Sequence, residues 1–257
     1  MKSLKSFVAS AFAASALVMG GVASAAPMTD WYLDSNGADP GGMVNVQNHL
    51  DLIGRAYVHN TFASATQFSF QESALFTVNM ADGVTPVNPN LTAAFTGTGT
   101  GEAGGSLAFG SGSLMVFDGL GAHIASFTLT AGSAVLNANS VLPNGTISMV
   151  FESTWLAQGY FFDSAMNDLA LGATTLGFTT TNVIEISPNL TVGQDLIDQY
   201  SNAFGSITGP IYPDSLNDLH LSVNGQQRIG QDVPEPGSLV LLSIGLLGLV
   251  GLRRRGK

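Results

Sequence analysis

The chain contains no cysteine. Disulfide staples, thiol catalysis and cysteine-ligated metals are thereby excluded, and stability must come from the core. Basic residues are nearly missing from the middle of the chain. Of eight lysines and arginines, six stand at the two ends: Lys2, Lys5, Arg253, Arg254, Arg255 and Lys257. Between them only Arg55 and Arg228 remain, and there is no lysine. Seventeen of the 18 carboxylates lie in that interval, which therefore carries a net charge of −15. Such a surface repels nucleic acid and anionic lipid and attracts divalent cations. Charged residues make up only 10 % of the chain, so Ser, Thr, Asn, Gln and Gly must cover most of the surface.

Catalytic signatures are also missing. No Gly-x-Ser-x-Gly elbow occurs. The four histidines, His49, His59, His123 and His220, never take the His-Glu-x-x-His spacing of a zinc-protease helix. Gly99-Thr100-Gly101-Glu102-Ala103-Gly104 has dinucleotide-loop spacing, but Gly105 and a strand-like run follow where a helix is needed. Glu72 and Glu152 end strand-like runs, with Trp155 near the second, and would be the carboxylates of a polysaccharide hydrolase. We expect no enzyme; the hydrolase is the least favoured reading.

The body alternates with period two. Gln67–Gln71, Ala125–Leu129, Thr146–Phe151 and Asp218–Asn224 each place apolar residues on one face. Turn signals separate such runs: Asp82-Gly83, Asp118-Gly119, Pro143-Asn144-Gly145 and Asn224-Gly225. The pattern predicts a mainly β fold, an antiparallel sandwich or jelly-roll-like body. A helix is expected over Thr191–Phe204, with Thr191 and Gln194 as a capping box and Leu196, Ile197, Tyr200 and Phe204 on one face. Ser35–Gly42 reads as a loop, with ordered structure beginning near Met43. The glycine-rich Gly97–Gly112 reads as a loop leading into a hairpin, Ser106–Phe109 and Ser113–Phe117.

Hard oxygen donors gather in Asp/Asn loops. Asp163, Asn167 and Asp168 form one weak calcium candidate, and Asp214, Asn217 and Asp218 another. Neither matches the EF-hand loop, and the same residues are common turn formers. Along one strand face Asp218, His220 and Ser222 stand about 6.5–7 Å apart, too far for direct hydrogen bonds.

The two ends carry addresses. Lys2 and Lys5, the apolar stretch Phe7–Met19 and then Ala23-Ser24-Ala25 read as a secretory signal over residues 1–26. The C-terminus reads Pro234-Glu235-Pro236, an apolar run 237–252, then Arg253-Arg254-Arg255-Gly256-Lys257. As a helix that run spans about 24 Å, somewhat short of a bilayer core. The arginines stay cytoplasmic by the positive-inside rule, so residues 27–233 form an extracytoplasmic domain. Pro234 and Pro236 hold Glu235 extended, as a processing enzyme would require.

Residues 234–257 resemble the PEP-CTERM sorting signal of exported proteins of exopolysaccharide-producing Gram-negative bacteria. The resemblance implies an exosortase-like processing enzyme as partner, transient anchoring in the inner membrane, and then the cell surface or extracellular space. Phe70-Gln71-Glu72-Ser73-Ala74, Leu91-Thr92-Ala93-Ala94-Phe95 and the Gly97–Gly112 segment look like flocculation-associated PEP-CTERM proteins. That likeness implies a structural or adhesive role with exopolysaccharide in biofilm or floc formation. The alternative is a calcium-assisted carbohydrate-binding module using Trp31, Trp155, Tyr160, Tyr200 or Tyr212.

Overall fold

In the computed structural model the described residues are 26–37, 43–103, 106–137, 144–172, 176–186, 192–206 and 217–231. Strands dominate because the period-two runs are longer than turn residues suggest. After the short β1 (Ala26–Pro27), β2 (Trp31–Asp34) and β3 (Met43–Val46) come the long β4 (Leu50–Phe62), β5 (Gln67–Ala81), β6 (Thr85–Glu102) and β7 (Ser106–Phe117). Then follow β8 (His123–Asn137), β9 (Asn144–Leu156), the short β10 (Phe161–Phe162), β11 (Leu176–Ile186), helix α1 (Gln194–Phe204) and β12 (Asp218–Gln231).

The eight long strands pair antiparallel in the order β4-β5-β6-β7-β8-β9-β11-β12. β12 then pairs back with β4, from Asp218 opposite His59 to Gln227 opposite Leu50. The mainly antiparallel β class expected from the sequence is therefore present. Its long strands close into one ring, a barrel without free edges, instead of parting into two stacked sheets. A second sheet, in the order β10-β2-β3, lies at the end of the ring where β4 begins and β9 finishes. Its Trp31, Leu33, Val44, Val46 and Phe161 belong to the same core as the barrel residues. Asp82 ties the two sheets, its carboxylate accepting the N–H groups of Gln47, Asn48 and His49 at 2.6, 2.8 and 3.0 Å. Burial opposes ionisation there, but those three bonds and nearby His49 hold the carboxyl below its ordinary range.

Inside the ring, aromatic rings meet edge to face. Phe95 lies 5.8 Å from Phe151 at 88°, and Phe70 lies 5.1 Å from Phe109 at 86°. The glycine-rich segment makes room for them. Gly97, Gly99 and Gly101 lie within β6, not in a loop, and point inward with the alternation of the strand. A Cβ on Gly99 would collide with the Phe70 ring and the Ala108 carbonyl, and one on Gly112 would sit 2.8 Å from Phe95. Outside, Thr98 and Ser111 hydroxyls bond across β6 and β7 at 2.9 Å, and Thr96 and Ser113 at 3.2 Å.

Other local expectations shift. Order begins well before Met43, because Trp31 and Leu33 are needed in the core. Asn224-Gly225 lies inside β12, where ladders on both sides override turn propensity. Asn144-Gly145 opens β9, and the β8–β9 turn lies outside the described residues. Asp82-Gly83 and Asp118-Gly119 do make turns, with Asp118 accepting from Leu120 and Ala122 N–H. The helix starts at Gln194 behind Gly193, with no side-chain cap bond; Thr191 lies outside the described residues. Its expected face is correct: Leu196 and Tyr200 are buried, with Ile197 and Phe204 beside them.

Glu72 also points into the barrel, on the face of β5 that carries Phe70 and Ala74, and is 4 % exposed. Burial pushes its carboxyl up to about 7, from an ordinary 4.5. Between these values the unfolded chain has lost the proton while the folded chain keeps it. The contribution of this carboxyl to stability is therefore full below pH 4.5, falls as pH rises towards 7 and is level above that. We expect Glu72→Gln to abolish this slope and to stabilise the fold at pH 8 by roughly 3 kcal/mol. Urea melts of both proteins at pH 4.5 and 8 measure it; parallel pH profiles would contradict the assignment.

Candidate functional site

The β4–β12 ladder builds a polar cluster on the outer wall, beneath α1. The register sets Asp218 opposite His59, His220 opposite Tyr57 and Ser222 opposite Arg55. Side-chain partners of Asp218 come from across the ladder. Tyr57 donates its hydroxyl to Asp218 Oδ1 at 2.6 Å, and His59 Nδ1 lies 2.8 Å from the same oxygen. From the helix, Tyr200 sets its ring edge-on to Tyr57 at 5.0 Å and donates its hydroxyl to Gln71 Oε1 at 2.7 Å. Gln199 caps the carbonyls of Ala74 and Phe95 at 3.3 and 2.9 Å.

Burial sets the protonation states. Tyr57 is pushed far up by burial, then by its bond to Asp218 and that residue's charge. Tyr200 is pushed up to about 12 by burial and by Asp218. His220 is 3 % exposed, and neither ring nitrogen has a hydrogen-bond partner among the described residues. Burial, and then the Arg55 charge, hold it below its ordinary range, so it is neutral at pH 7. The cluster thus holds two phenols and an imidazole in uncharged form, and its geometry fastens the helix to the wall.

Beside the helix start lies an open groove of about 720 Å³, lined by Ile53, Arg55, Leu75, Thr77, Thr92 and Asp195. Arg55 and Asp195 form an ion pair at its side. The groove therefore offers hydroxyls and a paired cation, with no further titratable lining group.

The calcium candidates fall in separate places. Asp163 Oδ1 accepts the N–H groups of Ala165 and Asn167 at 2.9 and 2.8 Å, and its Oδ2 accepts from Asn167 Nδ2 at 2.8 Å. The bonds from Asn167 hold its carboxyl below the usual range. Asp168 accepts from Ala170 N–H at 2.9 Å and Gly159 N–H at 2.8 Å. Asn217 gives its carbonyl to Asn60 N–H at 2.6 Å, Asp218 serves the helix cluster, and Asp214 lies outside the described residues. Among the described residues no three His, Asp or Glu side chains are grouped to hold a metal.

The aromatic candidates divide sharply. Trp31 is wholly buried and stacks on Phe161 at 6.5 Å. Tyr160 gives its hydroxyl to Asp118 at 2.9 Å; burial and that bond raise its pKa. Tyr200 is on the buried face of α1, and Tyr212 is outside the described residues. Trp155 alone of the four described candidates is exposed, at 46 %. Its ring stacks on His123 at 4.8 Å and 25°. Sequence reasoning missed His123, because only the β8–β9 pairing brings it to Trp155. It also missed Tyr57 and His59, which meet Asp218 from 159 or more positions away. Glu72 and Glu152 do not share a cleft, since one faces the barrel interior and the other is exposed on the outside.

Residues 232–255 match the PEP-CTERM protein-sorting motif. The match includes Pro234, Glu235, Pro236 and Arg253–Arg255, as expected. It marks the chain for export, transient membrane anchoring and recognition by an exosortase. No curated protein and no solved structure matches the chain. Among the described residues no helix is long and apolar enough to cross a membrane. The expected span 237–252, and residues 1–25 of the expected signal peptide, lie outside the described residues.

Asp218 is shared by two donors, so its loss should cost more than the loss of either partner. Asp218→Ala leaves the buried Tyr57 hydroxyl unpaired and should destabilise by about 2–3 kcal/mol, against about 1 kcal/mol for Tyr57→Phe. Chemical denaturation of both variants and the double variant measures the coupling. Additive effects would show that the bond contributes nothing.

Proposed function

We propose that this is a non-enzymatic surface or matrix protein. In this reading it is exported, held briefly in the inner membrane, processed by an exosortase-like enzyme and passed to the cell surface or extracellular matrix. There it acts structurally or adhesively with exopolysaccharide in biofilm or floc formation. The sorting motif at 232–255 carries the reading. The barrel supports it: a large aromatic core needs no disulfide, and the outward Thr96, Thr98, Ser111 and Ser113 hydroxyls suit a hydrated polymer.

A second reading, a carbohydrate-binding module, is favoured by one observation, the exposed Trp155 ring backed by His123. In this reading calcium would assist the binding, with Asp163, Asp168 and Asp218, which also accept hydrogen bonds, among its candidate ligands.

Replacing Pro234, Glu235 and Pro236 together by alanine should keep the protein in the inner-membrane fraction, whereas the native chain should be released in a shortened form. Cell fractionation with mass spectrometry of the mature species measures this. Equal release of both would overturn the sorting-dependent route.

A further inference from the structure

Exposed apolar side chains on the described surface include one group that lies side by side across three strands. The ladders set Met115 of β7 opposite Ser126 of β8, and Ser126 opposite Trp155 of β9. Met115 and Trp155 are two of the exposed large apolar side chains, and Leu120 is exposed in the turn joining β7 to β8. His123 sits within this group, 4.8 Å from Trp155 and 5.4 Å from Phe117, ring centre to ring centre. Its Nε2 lies 2.9 Å from Ser126 Oγ and 3.0 Å from the Ala125 carbonyl. The imidazole is thus fixed, and it fixes the indole in turn. Thr154 is bulged out of the ladder beside Trp155 and gives its hydroxyl to Ser126 O at 3.2 Å.

We infer that the Trp155–His123 pair is a stacking platform for a pyranose ring of a neutral or amino-sugar polysaccharide. Three features point to this ligand. An indole held flat by a second ring presents a π-face to the C–H face of a sugar, and its negative quadrupole attracts those hydrogens. Hydroxyls next to it, on Ser126 and Thr154, match a ligand that is apolar on its faces and hydroxylated around its rim. The charge selects among sugars. The interval carrying −15 includes exposed Glu152, which lies on β9 three residues before Trp155, so polyuronates are repelled and amino sugars are not. The proposal rests on the carbohydrate-binding reading above and not on the sorting route.

Binding is to be measured on the full chain, in a polyoxyethylene detergent that carries no sugar headgroup. The probes are laminarin, chitosan oligosaccharide and alginate. The chain has two tryptophans, and Trp31 is wholly buried, so a ligand-induced fluorescence change reports Trp155. We expect laminarin or chitosan oligosaccharide to shift the emission and to shield Trp155 from acrylamide, with alginate inactive. Trp155→Ala should lose at least tenfold in affinity by co-sedimentation. Trp155→Phe should keep part of it, and His123→Ala should weaken it with an unchanged thermal midpoint. Equal binding by Trp155→Ala, or no binding of either probe by the native chain, overturns the proposal while leaving the release assay unaffected. Loss of self-association in Trp155→Ala, without sugar binding by the native chain, would overturn it in favour of a contact between copies.

Discussion

The ladder between β4 and β12 is the constraint on which the rest depends. It joins the first and last long strands of the body, and without it the sheet would have two free edges. Closure makes each of the eight long strands an interior strand, so the ring itself offers no open edge. It also creates an inside. The same alternation that would give a sheet one wet face now gives an interior in which Phe70, Phe95, Phe109 and Phe151 pack together.

That interior explains the unusual composition. The rings lie over glycines beside them on the same or the adjoining strand: Phe95 over Gly97 and Gly112, and Phe70 over Gly99, where a Cβ would collide. Glu72 is the exception, an acid placed among apolar groups with its carboxyl pushed up to about 7. The closure ladder also assembles the polar cluster outside, because it lays Tyr57 and His59 beside Asp218 and His220. Helix α1 then covers that cluster, with Tyr200 and Gln199 bonding back to the wall. The exposed row at Met115, Ser126 and Trp155 lies on another part of the ring and depends on it only for its register.

Several elements are legible in the order of residues alone. Clean alternation at Gln67–Gln71, Ala125–Leu129 and Thr146–Phe151 marks strands, because a half-buried strand needs that period. The apolar face of Leu196, Ile197, Tyr200 and Phe204 marks the helix for the same kind of reason. Local chemistry misleads where pairing overrides it. Gly97–Gly101 and Asn224-Gly225 look like turns, yet strands on both sides fix their backbone as extended. Trp31 and Trp155 are the same residue type in strands, and nothing local tells which is core and which is surface.

The sequence by itself determined the address of this protein and its class of fold. The sorting motif is a contiguous string read by an enzyme and a membrane, and strand formation follows a period of two; both are local properties. Tertiary structure decided that the sheet closes, which acids turn toward backbone N–H groups, and which tryptophan is offered to solvent. Those outcomes depend on pairings between residues as distant as Tyr57 and Asp218, or Ser126 and Trp155. A register is fixed by the sum of many cross-strand contacts, and no single segment carries that sum.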